Sequence, residues 1–237
     1  MLFSLVGAAA LLSSCHFMGG KHISGNGHVI TQQEKVSSFT RVEVSGSVKV
    51  HVRQDATASV RIETDENLMS YLDIHMNGNT VIIRTRDGFN LDPSKDIIAY
   101  VTAPAFENID ISGACDIVGD APITGNTPLN MEVSGDGDIK MQVDLPSVST
   151  HISGAGSVNL TGKATSFTAS VSGSGDIKCF GLVTEDANLD LSGDSDAEVT
   201  ANRKLDVSVS GSGDVRYKGS ASVSQSISGS GSVKKEG

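Results

Sequence analysis

The sequence predicts an all-β fold: a parallel β-helix-like solenoid with coils of about 20 residues, preceded by a less regular β-rich N-terminal half. Three observations carry that expectation. First, Ser-Gly pairs open related stretches at Ser24, Ser45, Ser112, Ser134, Ser153, Ser172, Ser192, Ser210 and Ser228. From Ser112 onward they are spaced 22, 19, 19, 20, 18 and 18 residues apart, and a fixed period of that length marks a stacked array. Second, the residues around each pair alternate. Phe167, Ala169 and Val171 lead into Ser172-Gly173-Ser174-Gly175-Asp176, and Ile177 and Cys179 follow, with Thr168, Ser170 and Lys178 between them. Period-two alternation is a strand with one buried face. One such unit cannot bury its face alone, whereas unit on unit makes a continuous apolar column. Third, no long amphipathic helical pattern interrupts the chain; Asp65 to Ser70 makes at most one turn.

Residues 1–19 read as a lipoprotein signal peptide and tether. The first fourteen residues carry no charge, and Leu2 to Leu12 is apolar but too short to span a bilayer. Leu12-Ser13-Ser14-Cys15 resembles the lipobox of bacterial lipoproteins, in which the Cys becomes the lipidated first residue. Cys15 is therefore the expected lipidation site, and a membrane the expected partner through that lipid. His16 and Phe17 follow, so the Asp that favours inner-membrane retention in such proteins is absent. The expected place is the cell envelope, at the outer membrane.

Residues 20–108 form the N-terminal β-rich region. Val48, Val50 and Val52 alternate with Lys49, His51 and Arg53; Val60 and Ile62 alternate with Arg61 and Glu63. Leu72, Ile74 and Met76 precede Asn77-Gly78-Asn79, and Val81 to Arg84 follows. Asn-Gly between two alternating runs is a strong hairpin signal, so antiparallel pairing is expected here. Ile97 to Val101 reads as a strand ending at Ala103-Pro104. The Ser-Gly motif is missing between Ser45 and Ser112, which leaves two readings: a degenerate continuation of the solenoid or an antiparallel cap. The hairpin favours the cap.

Residues 109–237 form the repeat solenoid. The glycines are its corners, because Gly reaches positive φ without steric cost, and Gly175 is expected to need that freedom. Val171, Leu191 and Val209 should point inward on adjacent coils, with Ser170, Asp190 and Ser208 outside. Seven coils at roughly 4.8 Å give a rod of about 34 Å. Cys179 falls on the inward position shared by Met141, Leu160 and Tyr217 and reads as a small hydrophobe. Cys115 replaces the second motif glycine three coils away, too far for a disulfide, so both thiols should be free. Gln225 interrupts the apolar column near the end, and Lys234 and Lys235 follow; polar and charged residues there guard an open edge.

Charge narrows the function. Residues 109–237 hold 17 acidic and 9 basic residues, and the whole chain has a formal net charge of −10. That balance argues against nucleic acid as a partner. The sharpest chemical candidate is an acidic ladder at the fifth motif position: Asp116, Asp138, Asp176, Asp196 and Asp214, with Asp136 and Asp194 beside it. Stacked carboxylates offer the oxygens that Ca²⁺ requires. The calcium-binding nonapeptide, however, sets its Asp two residues after the Gly, while here the Asp follows directly. Turn formation is the expected role and a weak cation ladder over Asp138, Asp176, Asp196 and Asp214 the alternative. The six histidines show no metal-binding spacing and no Ser sits in a nucleophile elbow, so no metal, cofactor or catalytic residue is expected. There is no Trp, and aromatic residues make up 4%, so platforms for stacking sugars are few.

The signal-like start, the alternating central strands, the Ala103-Pro104 strand end and the Ser-Gly-x-Gly-Asp repeats together resemble the head GIN domain family, autotransporter-adhesin-like proteins that are often lipoproteins. The resemblance covers nearly all of residues 23–237. It implies a β-helix-like solenoid and an adhesive role, and it brings no catalytic residues. The expected function is that of a lipid-anchored envelope protein, structural or adhesive and not an enzyme, whose ligand is a cell-surface glycan or protein. The alternative is a β-helix protein that binds or cleaves envelope polysaccharide.

Overall fold

The computed structural model describes residues 20–237. The lipobox and Cys15 lie outside the described residues. Almost every described element is a strand, and the only helical element among them is a 3₁₀ turn at Met69–Tyr71, overlapping the end of the Asp65 to Ser70 stretch expected to make one turn.

The repeat folds as the alternation demands. Asp138–Gly154, Ser157–Gly173, Asp176–Gly193 and Ala197–Gly211 are long bent strands, each carrying nearly a whole coil. Consecutive coils pair in parallel, and the motif glycines stack in strict register through Gly113, Gly135, Gly154, Gly173, Gly193, Gly211 and Gly229. Val171, Leu191 and Val209 are aligned and at most 2% exposed, while Ser170, Asp190 and Ser208 form the neighbouring outward row. The expected register is therefore the observed one. Cys179 aligns with Val199 and Tyr217 and is buried; Cys115 is buried too, and both are free thiols. Burial pushes the Cys179 thiol up to about 12, consistent with an inert packing role.

One stack makes two ladders: the strand before the Ser-Gly corner lies on one face of the coil and the strand after it on the other. The corner has two different requirements. Gly173 has φ +132, where an L side chain is strained, and a Cβ there would also collide with the Gly154 carbonyl oxygen one coil below. Gly175 differs from expectation: its φ is not positive. It must be small because a Cβ would stand 2.6 Å from the Gly156 carbonyl oxygen and 2.7 Å from Ile152 Cγ2. Where another residue takes this second position, as Cys115 and Ser195 do, it is fully buried.

The N-terminal region answers to both of its readings. Arg41–Gly46 and Lys49–Gln54 are an authentic rung: they pair in parallel with Asn108–Gly113 and Asp116–Gly119, and Gly46 joins the glycine column. Thr80–Thr85 and Ile98–Ala103 form the rung beyond, again in parallel. The 67 residues between Ser45 and Ser112 hold that extra rung, and the chain returns past its own earlier coil to resume the stack. Antiparallel strands then finish the end. Leu72–Asn77 closes the expected hairpin on Thr80–Thr85, Ser59–Asp65 pairs with Ile98–Ala103, and Val29–Glu34 pairs with Ser59–Asp65. Ser24-Gly25 departs from expectation: it belongs to a separate two-stranded pairing of Lys21–Ser24 with Phe89–Asp92, outside the column. Gly25 is instead pressed against Asp65, whose side chain accepts from Gly27 N at 2.7 Å, Ser94 N at 2.8 Å and Ser94 Oγ at 2.7 Å. The Ser94 hydroxyl first, then these backbone donors, hold its carboxyl below the ordinary value.

A single buried cluster runs from Phe39 to Val215 without a break at residue 108. Phe39, Leu68 and Phe106 fill the N-terminal end. The last rung, Ser222–Gly229 with Ser232–Lys235, has no further rung stacked on it among the described residues. Gln225 occupies the position of Val207, and Ile227 is 37% exposed, so the column ends in polarity and in two lysines as expected.

Candidate functional site

The acidic ladder lies along the corner where the second ladder begins. Asp138, Ser157 and Asp176 are aligned, as are Asp214 and Ser232, each one coil above the last. Their hydrogen bonds run between coils. Asp138 Oδ1 accepts from Ser157 N at 2.9 Å and Ser157 Oγ at 2.7 Å; Asp196 Oδ1 accepts from Asp214 N at 2.9 Å; Asp214 Oδ1 accepts from Ser232 Oγ at 2.6 Å. Asp116 Oδ1 is placed toward Asp138 N at 3.4 Å. The Ser232 hydroxyl, then the charges of Lys234 and Arg216, draws the Asp214 carboxyl below the ordinary carboxylate value. The expectation was of bonds local to each turn. Instead Asp138, Asp196 and Asp214 each stitch their coil to the next. Asp176 makes a different contact, an ion pair with Lys178 at 3.1 Å. No group of three or more His, Cys, Asp or Glu side chains among the described residues is arranged to hold a metal ion.

Asp138→Asn and Asp196→Asn keep the accepting oxygen, so each should change stability by less than about 0.5 kcal/mol. Melting in millimolar calcium and in chelator should give the same midpoint, since a ligand of the folded state raises it by mass action. A calcium shift that disappears in the double variant would make the ladder a cation site.

Next to the acids runs an outward row of mixed charge. Lys140 aligns with Asn159, Lys178 with Glu198, Glu198 with Arg216 and Arg216 with Lys234. Arg216 pairs with Glu198, so much of this charge is internally matched. The opposite face is acidic near its N-terminal end, where Glu43, Asp110 and Glu132 stack on three adjacent rungs. Burial, then Glu132 and Glu43, pushes the Asp110 carboxyl up.

A second group was not foreseen in the sequence. Gln33, Arg61, Tyr100 and His51 align across four strands, and Ser59, Thr102 and Arg53 form the next outward row. Together with Asp120 they line a shallow recess of about 190 Å³. Arg61 Cζ stands 4.4 Å over the Tyr100 ring, and the His51 ring lies 5.4 Å from it on the other side. His51 Nδ1 meets Asp120 Oδ1 at 2.6 Å. The alternation of Ser47 to Arg53 does put His51 and Arg53 outward. Nothing local reveals that Arg61 and Tyr100 pair beside them, because those strands meet through the antiparallel cap.

The geometry defines a class of protein before any comparison. It is a closed solenoid with a packed interior and two broad, polar ladder faces. The chain belongs to the family described as "Putative auto-transporter adhesin, head GIN domain", whose model matches residues 38–221. It is similar in fold to a solved "putative adhesin" from Bacteroides fragilis, at 22% identity and TM-score 0.85 over 90% of this chain and 100% of that one. A "putative lipid binding protein" from Parabacteroides distasonis matches at 23% identity and TM-score 0.74, over 92% and 100%. A "putative adhesin" from the same species matches at 23% and 0.69, over 91% and 100%. No curated protein sequence matches the chain significantly.

Proposed function

We propose that the protein is a lipid-anchored adhesive rod of the cell envelope, tethered to the outer membrane through Cys15 and binding a cell-surface glycan or protein by its outward ladders. The observation that supports this best is the uninterrupted column. Coils of 18 to 22 residues carry no long loops over either face, so the surface between the corners is broad and open. Such a face suits multivalent contact better than enclosure of a small substrate. The family's adhesin description and the adhesin-described neighbours support the same reading. The lipid binding named for one neighbour has a place in it only as the anchor, since the interior here is filled by residues such as Leu160, Leu189 and Leu205, each 0% exposed. Of the corner carboxylates, Asp138, Asp196 and Asp214 are engaged with the next coil through their hydrogen bonds.

Cys15→Ala tests the anchor. An acyl chain gains membrane affinity by about 0.8 kcal/mol per buried methylene. The variant should therefore move from the membrane fraction to the soluble one with its melting midpoint unchanged. A variant that stays membrane-bound and detergent-dependent would refute the lipid anchor.

A further inference from the structure

We propose that the recess over Lys49–Gln54, Ser59–Asp65 and Ile98–Ala103 binds an acidic saccharide, with Arg53 and Arg61 taking its carboxylate or sulfate. This rests on the adhesive reading and names its ligand class.

The charge pattern singles the recess out. The chain has a formal net charge of −10 and seven arginines. Arg41, Arg84, Arg203 and Arg216 each pair with a carboxylate, and Arg86 donates to the Leu72 carbonyl. Arg53, Arg61 and Arg86 have no carboxylate within ion-pair distance among the described residues; Arg86 is engaged by the Leu72 carbonyl, whereas Arg53 and Arg61 both line this recess. Two unmatched guanidinium groups in one recess of an acidic protein repel each other and gain most from a shared anion.

The site is also held ready. Arg61 is held over the Tyr100 ring, which limits its rotamers while leaving its N–H groups free for an oxyanion. Tyr100 is in turn bracketed by His51, and His51 is fixed by Asp120. Asp120 is the only carboxylate in the recess, and its bond to His51 keeps one oxygen occupied. Thr102 and Ser59, in the same row as Arg53 and next to the Arg61 row, supply hydroxyls. A carboxylate or sulfate beside hydroxyls that both give and accept hydrogen bonds is the chemistry of an acidic sugar. Two cations are too few for a polyphosphate backbone against the surrounding negative charge.

Titration calorimetry on the full-length protein in detergent tests this with four probes: tetragalacturonate, a sulfated carrageenan tetrasaccharide without carboxylates, neutral cellotetraose and tetraglutamate. At least one acidic tetrasaccharide should bind, and which one separates carboxylate from sulfate. The Arg53→Ala, Arg61→Ala double variant should weaken it by at least roughly tenfold, as loss of charge-assisted bonds does. Arg53→Ala alone, at an exposed position, should weaken it with the melting midpoint unchanged, which covers any misfolding of the double variant. Arg216→Ala, on a distant coil, should leave affinity within about twofold. Binding equal in wild type and Arg53→Ala, equal binding of cellotetraose or tetraglutamate, or no binding of either acidic saccharide would overturn the assignment. A whole-cell adhesion assay on the same variants separates the two levels. Adhesion that survives without acidic-sugar binding refutes this site and leaves the adhesive reading standing; absence of adhesion in the wild type refutes that reading as well.

Discussion

Gly173→Val should be among the most damaging single substitutions in the chain, and Gly175→Val should rival it for a different reason. At Gly173 the backbone has φ +132, and valine there combines strain with a collision against the Gly154 carbonyl. Strain of that kind costs about 1–3 kcal/mol and overpacking about 1–3 kcal/mol, so a loss of about 2–6 kcal/mol is expected. At Gly175 there is no positive φ, and the loss comes from forcing the Gly156 and Ile152 contacts of 2.6 and 2.7 Å apart. The exposed residue between them, Ser174, should tolerate Ala within about 0.5 kcal/mol. Chemical denaturation of the three variants checks this. If Gly173→Val matched Ser174→Ala in stability, the corner would not be what sets the coil.

Leu191→Ala should cost about 2–5 kcal/mol, because Leu191 is 1% exposed within the column and its loss leaves a cavity between two neighbouring rungs. Asp190→Ala, one residue away and outward, should cost under about 0.5 kcal/mol. The contrast between adjacent residues is the signature of a strand with one buried face. Equal losses at both positions would contradict the register of Val171, Leu191 and Val209.

Much of the solenoid was legible because its order is local and repeated. Each coil states its own alternation, and the Ser-Gly pair states the corner, so the inward and outward sets around Val171 could be read without knowing any neighbour. The N-terminal half was legible only in part. The Asn77-Gly78-Asn79 hairpin is a local signal and was found. The parallel pairing of Arg41–Gly46 with both Thr80–Thr85 and Asn108–Gly113 is not local, and the chain must leave the stack and return to make it. Gly175 was misjudged because glycine is selected there by lack of room, not by backbone angle, and sequence alone does not separate those reasons. The acidic ladder was seen, but its bonds were placed within turns; the acceptors face the next coil, which only stacking brings near. The Arg61–Tyr100–His51 row was missed because its members come from three strands that are neighbours in space and not in sequence.

Surface proteolysis of intact cells tests the central claim, an outward-facing rod anchored at Cys15, most directly. The account predicts that protease added to intact cells reaches and removes the cell-bound protein, and that the Cys15→Ala variant yields no cell-bound pool to remove. Full protection in intact cells, with cleavage only after the outer membrane is breached, would contradict it and place the rod inside the envelope.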